Sequence, residues 1–324
     1  MTANNHIPEF VQRIRAGDVR SLSRAISAVE DHTPESTELL KALFPHSGNA
    51  VLLGFTGAPG AGKSTLVDQV AKVYRKQRKT IGIVAVDPTS PFSGGAILGD
   101  RIRMQSHHAD PGIFIRSMAT RGSLGGLAST TADVATVLDA SGRDIVMIET
   151  VGVGQDEVDI VRLADVTIVV LMPGMGDDVQ TIKAGIMEIA DIFVINKADR
   201  EGAERVEREI RAMQTLAIRK DDWTPPIVKT VATSGSGIDG LVQAIEGYRT
   251  YLEQSDRARM RRIENWRGRI AEMLRDALFQ RVFSYYLSEG EALRYAADVA
   301  EHRRDPYSLV AKLVEGLGRP DERN

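Results

Sequence analysis

The sequence predicts an α/β fold, with a mainly parallel sheet and helices on both of its faces. Between residues 50 and 250, short apolar runs alternate with helical or glycine-rich segments, which is the pattern of parallel strands joined by crossover helices. Helical patterns also precede and follow this region, which predicts extensions at both ends. We place the seven strands at Val51–Phe55, Ile81–Val86, Ile113–Ile115, Ile145–Ile148, Val166–Leu171, Ile192–Ile195 and Ile227–Val231.

Composition excludes several classes of protein. With 324 residues, 43% hydrophobic and 26% charged, the chain can form one α/β domain with extensions. A net charge of -3 gives no general attraction to nucleic acid or an anionic membrane. The absence of cysteine excludes disulfides and thiolate metal sites and fits a reducing compartment. No signal-peptide pattern or long apolar run is present. We therefore expect a cytoplasmic protein that binds neither membrane nor nucleic acid.

The N-terminal residues are predicted to form short helices that pack on the central domain. Phe10, Val11 and Ile14 make one apolar stripe, Gly17 ends it and Asp18 can cap the next helix. These apolar faces are too small to form a core by themselves. Further apolar residues at helical spacing are Leu22, Ala25, Ile26, Val29, Leu39, Leu40, Leu43 and Phe44.

The glycine-rich loop after the first strand carries the strongest motif. It matches G-x-x-x-x-G-K-[ST], in which backbone N–H groups surround phosphates, a lysine contacts the β and γ oxygens and a hydroxyl binds Mg²⁺. Apolar residues at helical spacing follow, so a helix N-terminus points at the anion. This P-loop context predicts that the nucleotide is bound by Gly57, Ala58, Pro59, Gly60, Ala61, Gly62, Lys63, Ser64 and Thr65.

Acidic residues near strand ends are candidate metal ligands, because ligands of open α/β sheets bind beyond the carboxyl ends of the strands. Asp87 ends the second strand, and two interpretations of it stay open: a ligand of metal or water, and a part of a proline turn. Asp100 follows in a glycine-rich loop, and it is interpreted either as a metal ligand or as a solvated carboxylate. Glu149 and Gly152 resemble the D-x-x-G element of GTPases, whose glycine contacts the γ-phosphate. Because glutamate is longer than aspartate, direct and water-mediated contacts with Mg²⁺ both stay open.

The motif that ends the sixth strand indicates the base. Asn196, Lys197 and Asp199 form N-K-x-D, in which the carboxylate accepts two hydrogen bonds from guanine and would stay unpaired opposite adenine. Downstream, a segment with Val231 in place of the commoner serine resembles the last GTPase element. There the backbone N–H of Ala232 is expected to contact O6 of guanine. We therefore expect GTP and GDP as the bound nucleotides.

Beyond residue 250 the pattern changes to long helices. Ile263, Trp266, Ile270 and Met273 recur at alternating spacings of three and four residues, a short heptad-like seam. We expect this seam to form a homodimer, and the alternative is that it packs on its own nucleotide domain. Six arginines between positions 257 and 269 are interpreted as a solvated helix face. The predicted divisions are a helical extension at 1–46, a P-loop domain at 47–250 and a C-terminal dimerisation arm at 251–324.

Together these motifs resemble the MeaB/ArgK/MMAA family over roughly residues 7–320. The likeness also includes a loop that runs from Pro173 through Gly174, Met175, Gly176, Asp177 and Asp178 to Gln180 and Lys183. Members of this family are GTPases that chaperone the adenosylcobalamin enzyme methylmalonyl-CoA mutase or a close relative. The resemblance therefore implies hydrolysis of GTP to GDP and phosphate, and an acyl-CoA mutase as the partner.

The resemblance also implies roles for individual residues. Residues 173–183 would form an additional switch that faces the partner enzyme, and the chain itself would bind no cobalamin. The metal would be surrounded by Ser64, Asp87, Asp100 and Glu149. The candidates for catalysis are Lys63, Glu149 and Lys183.

Other functions are compatible with the same motifs. One is a GTPase or kinase linked to basic amino-acid transport, which is the older description of this family. Another is a GTPase metallochaperone for nickel, but such proteins typically carry His- or Cys-rich metal sites, and this chain has 6 His and no Cys. A third is a nucleotide-dependent interaction module with negligible turnover.

Overall fold

The computed structural model describes residues 7–87, 110–119, 127–150, 163–174, 189–216, 222–254, 256–285 and 287–316. Within these ranges the chain forms two compact units, Met1–Asn265 and Trp266–Asn324. No helix in the described ranges combines the length and the apolar character needed to cross a membrane.

A seven-stranded parallel sheet forms the centre of the first unit, which confirms the predicted fold class. The strands lie in the order β3-β2-β4-β1-β5-β6-β7. β1 is therefore the central strand, and the loop that follows it leaves the sheet at its middle. The strands are β1 Val51–Gly57, β2 Ile81–Asp87, β3 Ile113–Ala119, β4 Ile145–Thr150, β5 Val166–Leu171, β6 Ile192–Asn196 and β7 Ile227–Thr230.

Strand β3 is longer than its apolar pattern predicts. The sequence expectation ends at Ile115, because Arg116 and Ser117 interrupt the apolar run. The backbone nevertheless continues to pair with β2 through Ala119. The polar interruption is accommodated because the Arg116 guanidinium forms an ion pair with Glu30 of the N-terminal helices.

Helices cover both faces of the sheet. Their bounds are α1 Ile7–Arg15, α2 Val19–Glu30, α3 Ser36–Leu43, α4 Lys63–Lys76, α5 Leu127–Ala140, α6 Ala203–Leu216, α7 Ile238–Glu253, α8 Arg257–Tyr285, α9 Glu289–Ala300 and α10 Pro306–Gly316. On one face, buried residues of α4 and α7 share a core with β1, β2 and β4. On the other, α1, α2, α3 and α5 share a core with β2, β3 and β4, while α6 covers β5 and β6.

The boundary between the first two N-terminal helices lies at the predicted residues, Gly17 and Asp18. Gly17 follows α1 with a φ of 83°, in the left-handed region that ends a helix. Asp18 caps α2, because its Oδ2 accepts a hydrogen bond of 3.0 Å from the backbone N–H of Ser21. Val11, Ile14 and Leu22 are buried in the core shared with α5, so this segment is part of the domain.

The first turns of α8 are fastened to the amino ends of β5 and β6. Arg261 donates to both carboxylate oxygens of Asp191 at 2.8 and 3.0 Å, and also to Tyr248. The Asp191 carboxylate accepts a third bond from the backbone N–H of Thr167. The carbonyl of Asp191 accepts a bond from the indole of Trp223. Asp191 is therefore a buried junction between the sheet, α7 and α8.

We predict that Asp191→Asn lowers the free energy of unfolding by about 3 kcal/mol, since it removes one charge of a largely buried ion pair and leaves Arg261 uncompensated. Denaturant titration measures the change. The matched control is Asp222→Asn, which breaks the exposed pair with Arg257 and should cost less than about 1 kcal/mol. Equal losses for the two variants would contradict the assignment of Asp191 as a buried junction.

Candidate functional site

The predicted nucleotide residues come together at the carboxyl edge of the sheet. The loop after β1, the end of β4, the turn after β6 and the turn after β7 meet there. Hydrogen bonds between described residues join all four segments. The site is therefore assembled by the parallel strands, as the sequence predicts.

The loop between β1 and α4 has a backbone that requires glycine. Gly57 has a φ of 140°, and a Cβ there would lie 2.0 Å from the carbonyl oxygen of Val170 in β5. Gly62 has a φ of 89°, and its Cβ would lie 2.5 Å from Nδ2 of Asn196. At both positions the backbone has a positive φ and lies close to a neighbouring segment. A side chain at either position would therefore displace that segment.

Lys63 begins α4 and is buried against its own loop. Its Nζ donates to the carbonyl oxygens of Gly57 at 2.6 Å and Ala58 at 3.0 Å. The ammonium group is thus held inside the loop, beside the N-terminus of α4. The helix dipole and this fixed positive charge together favour an anion at the centre of the loop.

Ser64 and Glu149 form a buried pair of oxygen groups beside Lys63. The Ser64 hydroxyl donates to Oε1 of Glu149 at 2.6 Å, and both residues are less than 9% exposed. The pairing of β1 with β4 sets Phe55 opposite Glu149, which brings the carboxylate next to the loop. Behind this pair, the hydroxyls of Thr150 and Thr56 are 3.1 Å apart.

Asn196 joins the turn after β6 to two other segments. Its Nδ2 donates to the carbonyl of Ala61 in the β1–α4 loop at 2.8 Å. Its Oδ1 accepts bonds of 3.1 Å from the Thr230 hydroxyl and from the backbone N–H of Ala232. The contact of the Ala232 N–H with guanine O6 stays a prediction. For that contact to form, the N–H must either leave Oδ1 of Asn196 or be shared between this oxygen and the base.

Lys197 and Asp199 lie above this junction. Lys197 has a φ of 55°, and its Nζ donates to the carbonyl of Gly60 at 2.7 Å and contacts Sδ of Met172 at 3.4 Å. The lysine side chain therefore crosses from the β6 turn to the β1–α4 loop. Asp199 is exposed on the same turn, where a ligand can reach its carboxylate.

Several predicted residues are not covered by this geometry. Asp100, Gly152 and Lys183 lie outside the described residues. Asp87 is the last residue of β2, at the same sheet edge as Glu149, but its side chain is outside the description. The contributions of Thr230 and Met172 are not predicted by any motif, and only the positions of these residues at strand ends are a signal in the sequence.

The family model for the methylmalonyl-CoA mutase-associated GTPase MeaB matches residues 22–286. The chain belongs to this family. A GTPase of Escherichia coli, ArgK, is 35% identical over 297 residues, which are 89% of this chain and 88% of ArgK. A protein of Pyrococcus abyssi that carries a GTPase name is 47% identical over 324 residues, covering 98% of this chain and 100% of the relative.

Two further similarities extend to an animal protein and to a solved structure. The Mus musculus protein named methylmalonic aciduria type A homolog, mitochondrial, is 36% identical over 251 residues, 71% of this chain and 60% of that protein. The crystal structure of a LAO/AO transport system kinase has a TM-score of 0.72 and 27% identity, covering 98% of this chain and 100% of that one. The predicted P-loop fold and GTPase activity of this MeaB-family chain are confirmed.

We predict that Asp199→Asn changes the base preference of this GTPase. An asparagine amide can donate to the 2-oxo group of xanthine but clashes with the donors of guanine, so affinity should move from GDP toward XDP by at least tenfold. Calorimetric titration with both nucleotides measures the change, and Glu201→Gln on the same exposed turn is the control. Unchanged affinity for GDP in Asp199→Asn would remove Asp199 from the guanine site.

Proposed function

We propose that this chain is a GTP-dependent chaperone of methylmalonyl-CoA mutase or a related acyl-CoA mutase, and that it controls loading or retention of adenosylcobalamin in that enzyme. The family description supports the mutase as partner, since it is a mutase-associated GTPase. The part of the proposal that concerns GTP rests on the hydrogen bonds of Asn196. They link the turn after β6 to the phosphate loop and to the turn after β7. The chain itself is proposed to bind no cobalamin.

In this proposal Mg²⁺ accompanies the nucleotide. Ser64 and Glu149 supply oxygen donors, which are the ligands that this cation prefers, and the residues therefore fit the ion. Asp87 and Asp100 would complete the set. When bound, the cation neutralises phosphate charge. Lys63 holds its ammonium group inside the phosphate loop, where it would contact the β and γ oxygens and stabilise their charge during hydrolysis.

Control of the partner is assigned to a second loop. Residues 173–183, with the candidate Lys183, follow β5, which pairs with β1 next to the phosphate loop. A loop that contacts both nucleotide and client would couple the two affinities, and linkage requires that each ligand change the affinity of the other by the same factor. Coupling of about 1–3 kcal/mol corresponds to a change of five- to 150-fold.

A second candidate function is a GTPase or kinase linked to basic amino-acid transport. The solved structure that resembles this chain over nearly its whole length carries the name LAO/AO transport system kinase. The two functions differ in the acceptor, which is water for the chaperone and a protein side chain for the kinase. Transfer of label from γ-labelled GTP to a purified periplasmic binding protein would support the kinase.

We predict that the client mutase binds this chain with different affinity in the presence of GDP, of a non-hydrolysable GTP analogue and of no nucleotide, by about five-fold or more. Asp177→Ala and Lys183→Ala should reduce this difference and the stimulation of GTP hydrolysis by the client. Lys63→Ala should lose most hydrolysis with or without client. Three equal affinities in the wild type would rule out gating. Normal stimulation in both loop variants would remove the loop from the mechanism.

We also propose that residues 251–324 form the arm of a homodimer. Ile263, Trp266, Ile270 and Met273 all lie on α8 and are 36–59% exposed. Apolar side chains at heptad-like spacing that remain this exposed are typical of a helix face that is covered by a second copy. Truncation near residue 248 would also remove Arg261 from Asp191, so a single substitution is the cleaner test.

We predict that Ile270→Glu converts a dimer to a monomer, because it places a charge in the apolar seam. The matched control is Ala271→Glu, which adds the same charge at the adjacent exposed position, off the seam. Sedimentation equilibrium distinguishes the masses. A dimeric Ile270→Glu variant, or a monomeric wild type, would refute the arm as the dimer interface.

A further inference from the structure

The edge of the sheet opposite the nucleotide site contains an arginine that forms no ion pair with another described residue. Arg143 lies in the turn between α5 and β4 and is 8% exposed. Its Nε is enclosed without a hydrogen-bond partner, and no ion pair of its guanidinium is found among the described residues. Burial, and next the charge of Arg75, lower the pKa of Arg143 below its usual value. A buried charge in this state is costly unless an anion compensates it.

The carboxylates near Arg143 are already used by other cations. Asp110 accepts two bonds of 2.8 Å from Arg75, whose guanidinium lies directly over Gly112. Asp144 accepts bonds from the backbone and hydroxyl of Thr80 and lies 3.5 Å from Lys79. Neither acid is paired with Arg143, and Asp139, four residues before Arg143, accepts bonds from the backbone N–H groups of Gly48, Asn49 and Ala50.

The same edge carries further positive charge. Lys76 and Arg78 are exposed at the end of α4, where the helix dipole is negative and basic residues collect. Five basic residues, Arg75, Lys76, Arg78, Lys79 and Arg143, therefore lie at this edge, where the acids among the described residues are Asp110, Asp139 and Asp144.

We propose that Arg143 is the centre of a binding site for a phosphate group, separate from the nucleotide site and at the amino edge of β2 and β4. A tetrahedral dianion matches the charge excess, and a guanidinium can hold two of its oxygens at once. The ligand is either free phosphate or a phosphate group of a larger molecule. Its occupation would link the stability of this GTPase to the level of that anion.

The test is thermal unfolding of the full chain with GDP and Mg²⁺ at saturation, so that the phosphate loop is occupied. Inorganic phosphate, glycerol phosphate, acetate and chloride are compared at low millimolar concentration and equal ionic strength. Arg143→Gln removes the proposed centre. Arg78→Gln is the matched control, because it removes the same charge from an exposed neighbour at the same edge.

Wild type and Arg78→Gln should melt at higher temperature with phosphate than with chloride or acetate. The gain should be about 2–4 °C at about five times the Kd. Arg143→Gln should lose this response and, without phosphate, melt no lower than wild type, since it removes an uncompensated charge. A larger gain with glycerol phosphate than with inorganic phosphate would assign the site to an organic ligand, and equal gains would assign it to free phosphate.

Two results would overturn the proposal. One is the absence of a phosphate-specific gain in the wild type. The other is an equal gain in Arg143→Gln and wild type, whether or not the variant is less stable, because Arg143 would then be a packing residue alone.

Discussion

The hydrogen bonds of Asn196 are the interaction on which the rest of the nucleotide site depends. One amide side chain donates to Ala61 of the phosphate loop and accepts from Thr230 and Ala232 at the end of β7. Asn196 is 2% exposed. Without its side chain, Ala61, Thr230 and Ala232 would each lose a hydrogen-bond partner in a place that water scarcely reaches. One residue therefore supports both the phosphate loop and the turn after β7, and Lys197 adds a second link through Gly60.

The order of the strands explains why one side chain can reach so far. β1 lies between β4 and β5, so its loop emerges beside Glu149 on one side and close to the β6 turn on the other. Glycine at positions 57 and 62 lets the loop approach Val170 and Asn196 at distances that no side chain would permit. The opposite edge of the sheet is used differently, since Asp191 there fastens the start of α8 and Arg143 stands beside Arg75.

The sequence predicts the seven strands, the parallel sheet and the location of the phosphate and guanine motifs, because these depend on local patterns of apolar residues, glycines and strand-ending polar residues. It does not predict the second half of β3, where the compensation for Arg116 comes from Glu30, 86 positions earlier. For the same reason the N-K-x-D pattern assigns Asn196 to the base but not to Ala61, 135 positions away. The pairing of Arg261 with Asp191 and the isolation of Arg143 likewise arise only after distant segments pack together.

We expect Asn196 to support the phosphate loop even when no base is bound. The most direct test is calorimetric titration of inorganic pyrophosphate with Mg²⁺, compared with GDP, into wild type, Asn196→Ala and Asp199→Ala, with melting curves to verify folding. Asn196→Ala should weaken both ligands about tenfold or more, since Ala61, Thr230 and Ala232 all lose a partner. Asp199→Ala should weaken GDP alone. Wild-type affinity for pyrophosphate in a folded Asn196→Ala variant would contradict the claim.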